Sequence, residues 1–234
     1  MKPHITANTF ASFLTAKTPE RKLSIVRNAH RAMKSDKGYP PYYQSLRTPA
    51  RRFLASAATN PSELLGLIVK KEKVTGRKWH LTDAAITRDA AKALLTLAPK
   101  IQAIDATFLL GRPETKAKIE YPELDLLVTP HMLVEKRHGK VRRIGALRFY
   151  TAKESTYELG VRGAELVAGM QHQWLLNFAS GEQMPDFALC MVIECFQQRI
   201  TQASVDAEET RRLMNQGYRD FMRLLHGLDS KDAA

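Results

Sequence analysis

Two acidic residues, Glu123 and Asp125, lie two positions apart in the apolar segment 117–129. Side chains alternate along a β-strand, so both carboxylates would share one face of it. If the apolar segment 141–152 returns beside this strand, Arg148 would lie near Asp125. Carboxylate oxygens bind Mg²⁺, and a nearby cation stabilises developing negative charge. This pattern predicts a candidate phosphodiesterase site with catalytic Asp125, Glu123 and Arg148, in which Asp125 and Glu123 hold the metal.

Two alternatives to this arrangement follow from the same residues. Lys153, just past the second segment, is a further catalytic candidate if the strands pair in another register, and Asp105 could supply a displaced acid. In the simpler alternative, the two segments form an ordinary hairpin. Asp125 and Arg148 would then make a cross-strand ion pair without any chemistry.

The elements that must position these residues change in type near Pro99. Before it, apolar residues at helical spacing and Pro or Asn start signals predict helices over 18–35, from about 48 to 58, from Asn60 onwards, and from Thr82 or Asp83 to Pro99. After it, the pattern predicts strands over 101–111, 117–129 and 141–152, a helix from about 157 to 179, a buried strand over 185–196, a short strand over 198–204 and a C-terminal helix from 206.

The order helix, three strands, helix, strand over residues 83–196 resembles the PD-(D/E)XK, or restriction-endonuclease-like, superfamily. In that family the second strand gives an Asp and the third gives an acid, any residue and a Lys. Asp125 matches the first acid, but Ala146 stands in place of the second acid and Arg148 in place of the Lys. Arginine keeps the charge without the compact ammonium. The resemblance therefore implies a nuclease-like core with an incomplete site.

The expected fold class is accordingly α/β (α+β). A helical basic N-terminal region, residues 1–82, would precede a core domain with a C-terminal helix, residues 83–234. The formal charge of +12 is concentrated in the first half of the chain. Residues 1–100 hold nineteen Lys and Arg against six Asp and Glu, a net +13, and the rest hold seventeen against eighteen, a net −1. Such a one-sided surplus favours nucleic acid, DNA or RNA, as a partner, although solubility alone would also account for it.

Three basic segments are the candidate nucleic-acid contacts. The first combines tyrosines for stacking with guanidinium groups for phosphates, the second is a predicted basic loop at residues 70–79, and the third is a basic hairpin tip around Gly139. The candidate residues are Tyr42, Tyr43, Arg47, Arg51, Arg52, Lys70, Lys71, Arg77, Lys78, Arg142 and Arg143. Packed tyrosines and solvated loops are the competing interpretations.

Other sequence features narrow the class of protein. No run of eighteen apolar residues and no secretory signal is present, so we expect a cytoplasmic protein without a membrane partner. Cys190 and Cys195 lie five positions apart in one predicted strand and should point to opposite faces as buried residues, without a zinc site. His131, His138 and His172 have no Cys or Ser at a spacing that supports a triad.

Three functional hypotheses remain open at this point. The first is a nucleic-acid-binding protein with a degenerate nuclease core, acting as a recognition or scaffold subunit in a mobile-element or phage-defence system. The second is an active nuclease, with Mg²⁺ as its cofactor, in which Asp125 works with a displaced acid. The third is a structural component that binds an acidic partner protein through its basic half.

Overall fold

The computed structural model describes residues 2–34, 43–111, 117–151, 159–179, 181–204 and 206–232. The helices are α1 (Ala7–Thr15), α2 (Pro19–Lys34), α3 (Gln44–Ala55), α4 (Ser62–Glu72), α5 (Lys78–Thr96), α6 (Ala98–Gln102), α7 (Gly160–Phe178) and α8 (Ala207–Asp232). The strands are β1 (His4–Thr6), β2 (Thr107–Leu109), β3 (Lys118–Glu120), β4 (Asp125–Leu127), β5 (Met132–His138), β6 (Val141–Tyr150), β7 (Gln183–Pro185), β8 (Met191–Glu194) and β9 (Arg199–Gln202). The fold is α+β, as predicted.

The larger of two sheets has the order β2-β5-β6-β8-β9, and β7 also pairs with β6. β2, β5 and β6 are antiparallel neighbours, whereas β8 runs parallel to β6, with α7 between them in the chain, and β9 is antiparallel to β8. A parallel neighbour requires a crossover connection, which α7 supplies. The smaller sheet has the order β1-β4-β3.

Two hydrophobic clusters cover the opposite faces of the larger sheet. The first core cluster joins one sheet face to α1, α2, α7, α8 and the smaller sheet, and the second joins the other face to α3, α4, α5 and α6. Side chains along β6 alternate accordingly, with Ala146 in the first cluster and Leu147 in the second. Elements of the predicted N-terminal region therefore pack on both faces of the sheet.

The segment 117–129 is not the single strand that its alternation predicts. It folds into the short antiparallel pair β3 and β4, with a turn in which the Tyr121 N–H donates to the Leu124 carbonyl at 3.0 Å. Pro122, which has no N–H to donate to a ladder, lies in that turn. The other neighbour of β4 is β1, in parallel register. The predicted pairing of this segment with β6 is wrong. The antiparallel neighbour of β6 is β5, a strand that the sequence analysis did not predict.

Several predicted boundaries also shift. A strand over 101–111 is wrong in its first part, which is α6, and the strand over 185–196 is interrupted by a short 3-10 helix at Phe187–Leu189. α3 begins at Gln44 rather than Thr48. α5 begins at Lys78 rather than after Thr82 or Asp83, because the Asp83 carboxylate binds the Tyr43 N–H and Lys71 instead of capping a helix.

The two cysteines are free and buried, as predicted. Cys190 belongs to the first core cluster and Cys195 to the second, which confirms their opposite faces, although they flank β8 rather than lie within it. Burial raises the pKa of each thiol to about 12, so both stay protonated. In the described part of the chain, no helix combines the length and the apolar character needed to cross a bilayer.

Candidate functional site

The Asp125 carboxylate is held by two ammonium groups. Lys118 Nζ lies 3.0 Å from its Oδ2, and Lys2 Nζ lies 3.2 Å from its Oδ1. The Lys118 ammonium keeps the pKa of Asp125 below its usual range, with a further contribution from Lys2. The register of the smaller sheet explains this contact, because Asp125 lies opposite both Glu120 in β3 and His4 in β1, next to the two lysines. A metal ion at Asp125 would have to displace these cations.

Glu123, the second predicted metal ligand, binds α8 instead. Its Oε2 lies 3.1 Å from His226 Nε2, and its backbone N–H donates to the Tyr218 hydroxyl at 3.3 Å. Tyr121 stacks on Tyr218 with a centroid distance of 4.4 Å, which fixes this turn against the helix. Asp125 and Glu123 therefore have separate partners. Among the described residues, no three His, Cys, Asp or Glu side chains form a group that could hold a metal.

Arg148 does not pair with Asp125. Its Nη1 donates to the Val128 carbonyl at 2.9 Å, to the Thr129 carbonyl at 2.8 Å and to the Thr129 hydroxyl. The ordinary hairpin with an Asp125–Arg148 ion pair is therefore also wrong, since β4 and β6 are not neighbours. Ala146, at the position of the family's second acid, is fully buried in the first core cluster.

Arg148 and Arg47, which the sequence assigned to different roles, line one cavity of about 290 Å³. We call this space the arginine cavity. α3 contributes Arg47, the start of α1 contributes Asn8, and β6 contributes Arg148 and its neighbours. Among the described residues, the lining consists of Asn8, Tyr43, Leu46, Arg47, His131, Arg148, Phe149, Tyr150 and Thr151. No acidic residue is among them.

His131 is neutral in this cavity. Burial, together with the positive charges of Arg148, Arg47 and Arg51, lowers its pKa to about 3. Its Nδ1 accepts a hydrogen bond from the Phe149 N–H at 2.9 Å, and its ring stacks on Phe149. Because Nδ1 is an acceptor, the single ring proton is on Nε2, which is a donor.

The predicted basic loop at residues 70–79 is instead the corner between α4 and α5. Lys71 forms an ion pair with Asp83 at 2.9 Å and is largely buried. Four other cations of this corner are exposed, and in the described part of the chain none of them forms an ion pair. We call them the basic corner: Lys70, Lys73, Arg77 and Lys78. Trp79, 40% exposed, follows them directly.

The remaining predicted nucleic-acid contacts are mostly engaged within the protein. Arg52 pairs with Glu63, Arg142 with the buried Glu135 and Arg143 with Asp186, and Arg51 donates to the Leu110 carbonyl. Tyr43 is partly buried beside the arginine cavity. Tyr42 and Lys153 lie outside the described residues. An ion-paired arginine can still contact a phosphate, but it has less uncompensated charge to offer.

The sequence analysis missed some residues of the basic corner and some of the arginine cavity. Lys73 lies within the predicted basic loop at residues 70–79, so its charge was a usable signal. Tyr150 alternates with Arg148 along β6, and this spacing places both on one face of the strand. Asn8 and His131 carried no such signal, because their proximity to Arg47 depends on tertiary packing between distant parts of the chain.

The residues of the arginine cavity come from different elements, and no single motif in the sequence contains them. Comparison with known proteins adds no relative from which a role could be transferred. No family model matches the chain, and neither a characterised protein nor a solved structure is significantly similar to it.

Proposed function

We propose that this chain is a nucleic-acid-binding protein with a restriction-endonuclease-like core whose nuclease site is degenerate. The observation that carries the proposal is the basic corner, where four exposed cations have no intramolecular counter-charge among the described residues. Neutralisation of phosphates by such cations releases counterions, which drives binding to DNA and RNA. The surplus of +13 in residues 1–100 adds a long-range attraction of the same sign.

Trp79 beside the basic corner favours single-stranded nucleic acid. An exposed aromatic ring next to cations offers a stacking surface for an unpaired base, whatever its sequence. The chain has two tryptophans, and the other, Trp174, is only 4% exposed in the first core cluster. Stacking of a base on Trp79 would therefore quench the tryptophan fluorescence that comes from Trp79, the more exposed of the two tryptophans.

The nuclease-like part of the proposal is supported by the strand order of the larger sheet. β2, β5 and β6 are antiparallel in sequence order, α7 follows, and β8 pairs parallel with β6, which matches helix, three strands, helix, strand. In this order β5, not β4, is the second strand. Degeneracy is supported by the buried Ala146 and by the place of Asp125 on β4, outside this strand order, where two lysines bind it.

We expect the protein to bind short fluorescent single strands of DNA and RNA with an affinity that falls steeply with salt. If the basic corner supplies four phosphate contacts, raising the salt from about 50 to 200 mM should weaken binding to a single strand roughly 50-fold. Neutralising Lys70, Lys73, Arg77 and Lys78 together to Gln should lower the slope of log K against log salt by about 3. Fluorescence anisotropy across a salt series measures both quantities.

The matched control removes the same charge from another surface. Arg27 and Arg31 on α2 and Arg211 and Arg219 on α8 are also exposed and make no ion pair with the described residues. Changing these four to Gln should leave most of the slope intact. If both variants lost the same amount of slope, the effect would come from net charge alone, and an interface at the basic corner would be contradicted.

A wild-type protein that binds no strand at low salt, but forms a stoichiometric complex with a protein after nuclease treatment, would favour the acidic-partner hypothesis.

Incubation with Mg²⁺ or Mn²⁺ is expected to leave bound DNA and RNA uncut. The two predicted metal-binding carboxylates, Asp125 and Glu123, are tied to Lys118, Lys2 and His226, so they do not converge on one metal position. The assay is gel analysis of labelled DNA and RNA with the wild type and Asp125→Ala, with and without EDTA. EDTA-sensitive cleavage that disappears in folded Asp125→Ala protein would instead establish the active-nuclease hypothesis.

A further inference from the structure

The described lining of the arginine cavity has a net positive charge. Two guanidinium groups, those of Arg47 and Arg148, line about 290 Å³ of space, and none of the described lining residues is a carboxylate. Burial and the charge of Arg47 together lower the pKa of Arg148 to about 10, so Arg148 remains protonated at neutral pH and the two guanidinium groups repel each other. A bound anion would turn this repulsion into two attractive interactions.

Arg148 is held rigidly in a position that suits anion binding. Its Nη1 is tied to the Val128 and Thr129 carbonyl oxygens and to the Thr129 hydroxyl. Its buried Nε has no acceptor among the described residues, so only neutral oxygens offset the charge of this guanidinium. A fixed guanidinium loses little conformational entropy when a ligand binds, which increases the affinity for a given contact.

Neutral donors add to the two charges. His131 has its proton on Nε2, because Nδ1 accepts from the Phe149 N–H. Burial raises the pKa of Tyr43 to about 12, so its hydroxyl keeps a proton at neutral pH. Asn8 has a buried side-chain oxygen without a partner among the described residues, and a rotated amide would present its NH₂ group there. The lining thus contains several groups that can donate hydrogen bonds.

We propose that the arginine cavity binds a terminal phosphate group, carried by a nucleotide, by the end of a nucleic acid or as inorganic phosphate. A phosphate of this kind has close to two negative charges and three strong acceptor oxygens, which matches two guanidinium groups and the neutral donors. The cavity volume is at the small end for ligand sites, so it fits such a group rather than a duplex. The inference does not rest on the nucleic-acid proposal, since the cavity and the basic corner share no residue.

Calorimetric titration with inorganic phosphate at pH 7.5 tests the site. We expect saturable binding by the wild type. Binding by Arg47→Gln should be about tenfold weaker, because one charge-assisted contact is lost. Arg47 is exposed on α3, so this variant should fold normally. Arg27→Gln, the same substitution on exposed α2, should bind phosphate like the wild type. Arg47→Lys should recover part of the affinity, as it keeps the charge without the fork.

A second readout reports the cavity itself. Phosphate between the two arginines screens their charges from His131, so the pKa of this histidine should rise in the complex, as followed by NMR of its ring. A shift of other histidines but not of His131, or equal phosphate affinity in wild type and Arg47→Gln, would overturn the proposal. So would the absence of any binding at millimolar phosphate by folded wild-type protein.

The source of the phosphate is distinguished by paired ligands. A 5′-phosphorylated trinucleotide that binds more tightly than both inorganic phosphate and the 5′-hydroxyl trinucleotide identifies a nucleic-acid end. Equal affinities for inorganic phosphate and the phosphorylated trinucleotide identify the phosphate group alone as the ligand. The basic-corner quadruple variant should bind inorganic phosphate normally, which separates a failure of this site from a failure of nucleic-acid binding.

Discussion

Gly145→Ala is expected to lower the free energy of unfolding by about 3 kcal/mol or more. A Cβ atom at Gly145 would lie 2.2 Å from the Leu189 carbonyl oxygen and 2.3 Å from its carbonyl carbon. These are backbone atoms of the 3-10 helix that precedes β8, so they cannot move aside as a flexible side chain would. Gly145 is also opposite Val134 in the β5–β6 ladder, which restricts any shift of β6. Urea denaturation followed by circular dichroism measures the loss.

Gly66→Ala is the matched control for this substitution. Gly66 is within α4, and a Cβ there meets no atom within 4 Å. Alanine in a helix interior should raise the free energy of unfolding by about 0.5–1 kcal/mol, because the unfolded chain has less entropy to lose. If Gly145→Ala were as stable as the wild type, the close approach of Leu189 to β6 would be wrong.

The Gly145 contact illustrates what the sequence did and did not predict. Alternation along 141–152 correctly indicates a strand and its two faces, and the helix, strand, strand and helix that follow it are present, but β5 was not predicted. Alternation does not identify the neighbouring strand, however. Nothing in residues 117–129 indicates that β1, near the N-terminus, would pair with β4, or that Leu189 would cross over Gly145. Pairing of this kind is decided by tertiary packing.

The candidate sites differ in the same way. The basic corner was readable, because its charges lie within ten consecutive residues and need only exposure to act. The arginine cavity was not, since Arg47, His131 and Arg148 come from three separate segments of the chain. Arg148 was selected because it was expected to lie near Asp125, in place of the family's lysine. In the structure it lies near Arg47 and donates to Val128.

The protein is expected to lose about 2 kcal/mol of its free energy of unfolding between pH 7 and pH 5 because of His131 alone. Burial lowers the pKa of this histidine to about 3 in the folded state, against about 6.5 when it is unfolded. Between these values the unfolded chain binds a proton that the folded chain does not. Stability therefore rises with pH across this window, and falls as the solution is acidified.

The surroundings of His131 explain why it resists protonation. Arg148 on β6 and Arg47 and Arg51 on α3 all contribute repulsion, and among the described lining residues the further ionisable groups are the hydroxyls of Tyr43 and Tyr150. A proton on Nδ1 would also remove the acceptor for the Phe149 N–H. The lowered pKa values of Asp125 and Glu135 act at lower pH, since carboxylates lose their stabilisation only as they become protonated.

His131→Asn isolates this contribution, because asparagine retains an oxygen that can accept the Phe149 N–H but does not titrate. Urea denaturation of the wild type and the variant at pH 7 and pH 5 should show that the variant loses about 2 kcal/mol less on acidification. His138→Asn, which removes a histidine from the exposed hairpin tip, should follow the wild type. Equal losses in His131→Asn and wild type would mean that the folded protein accepts a proton on His131, and the positive charge assigned to the arginine cavity would then be wrong.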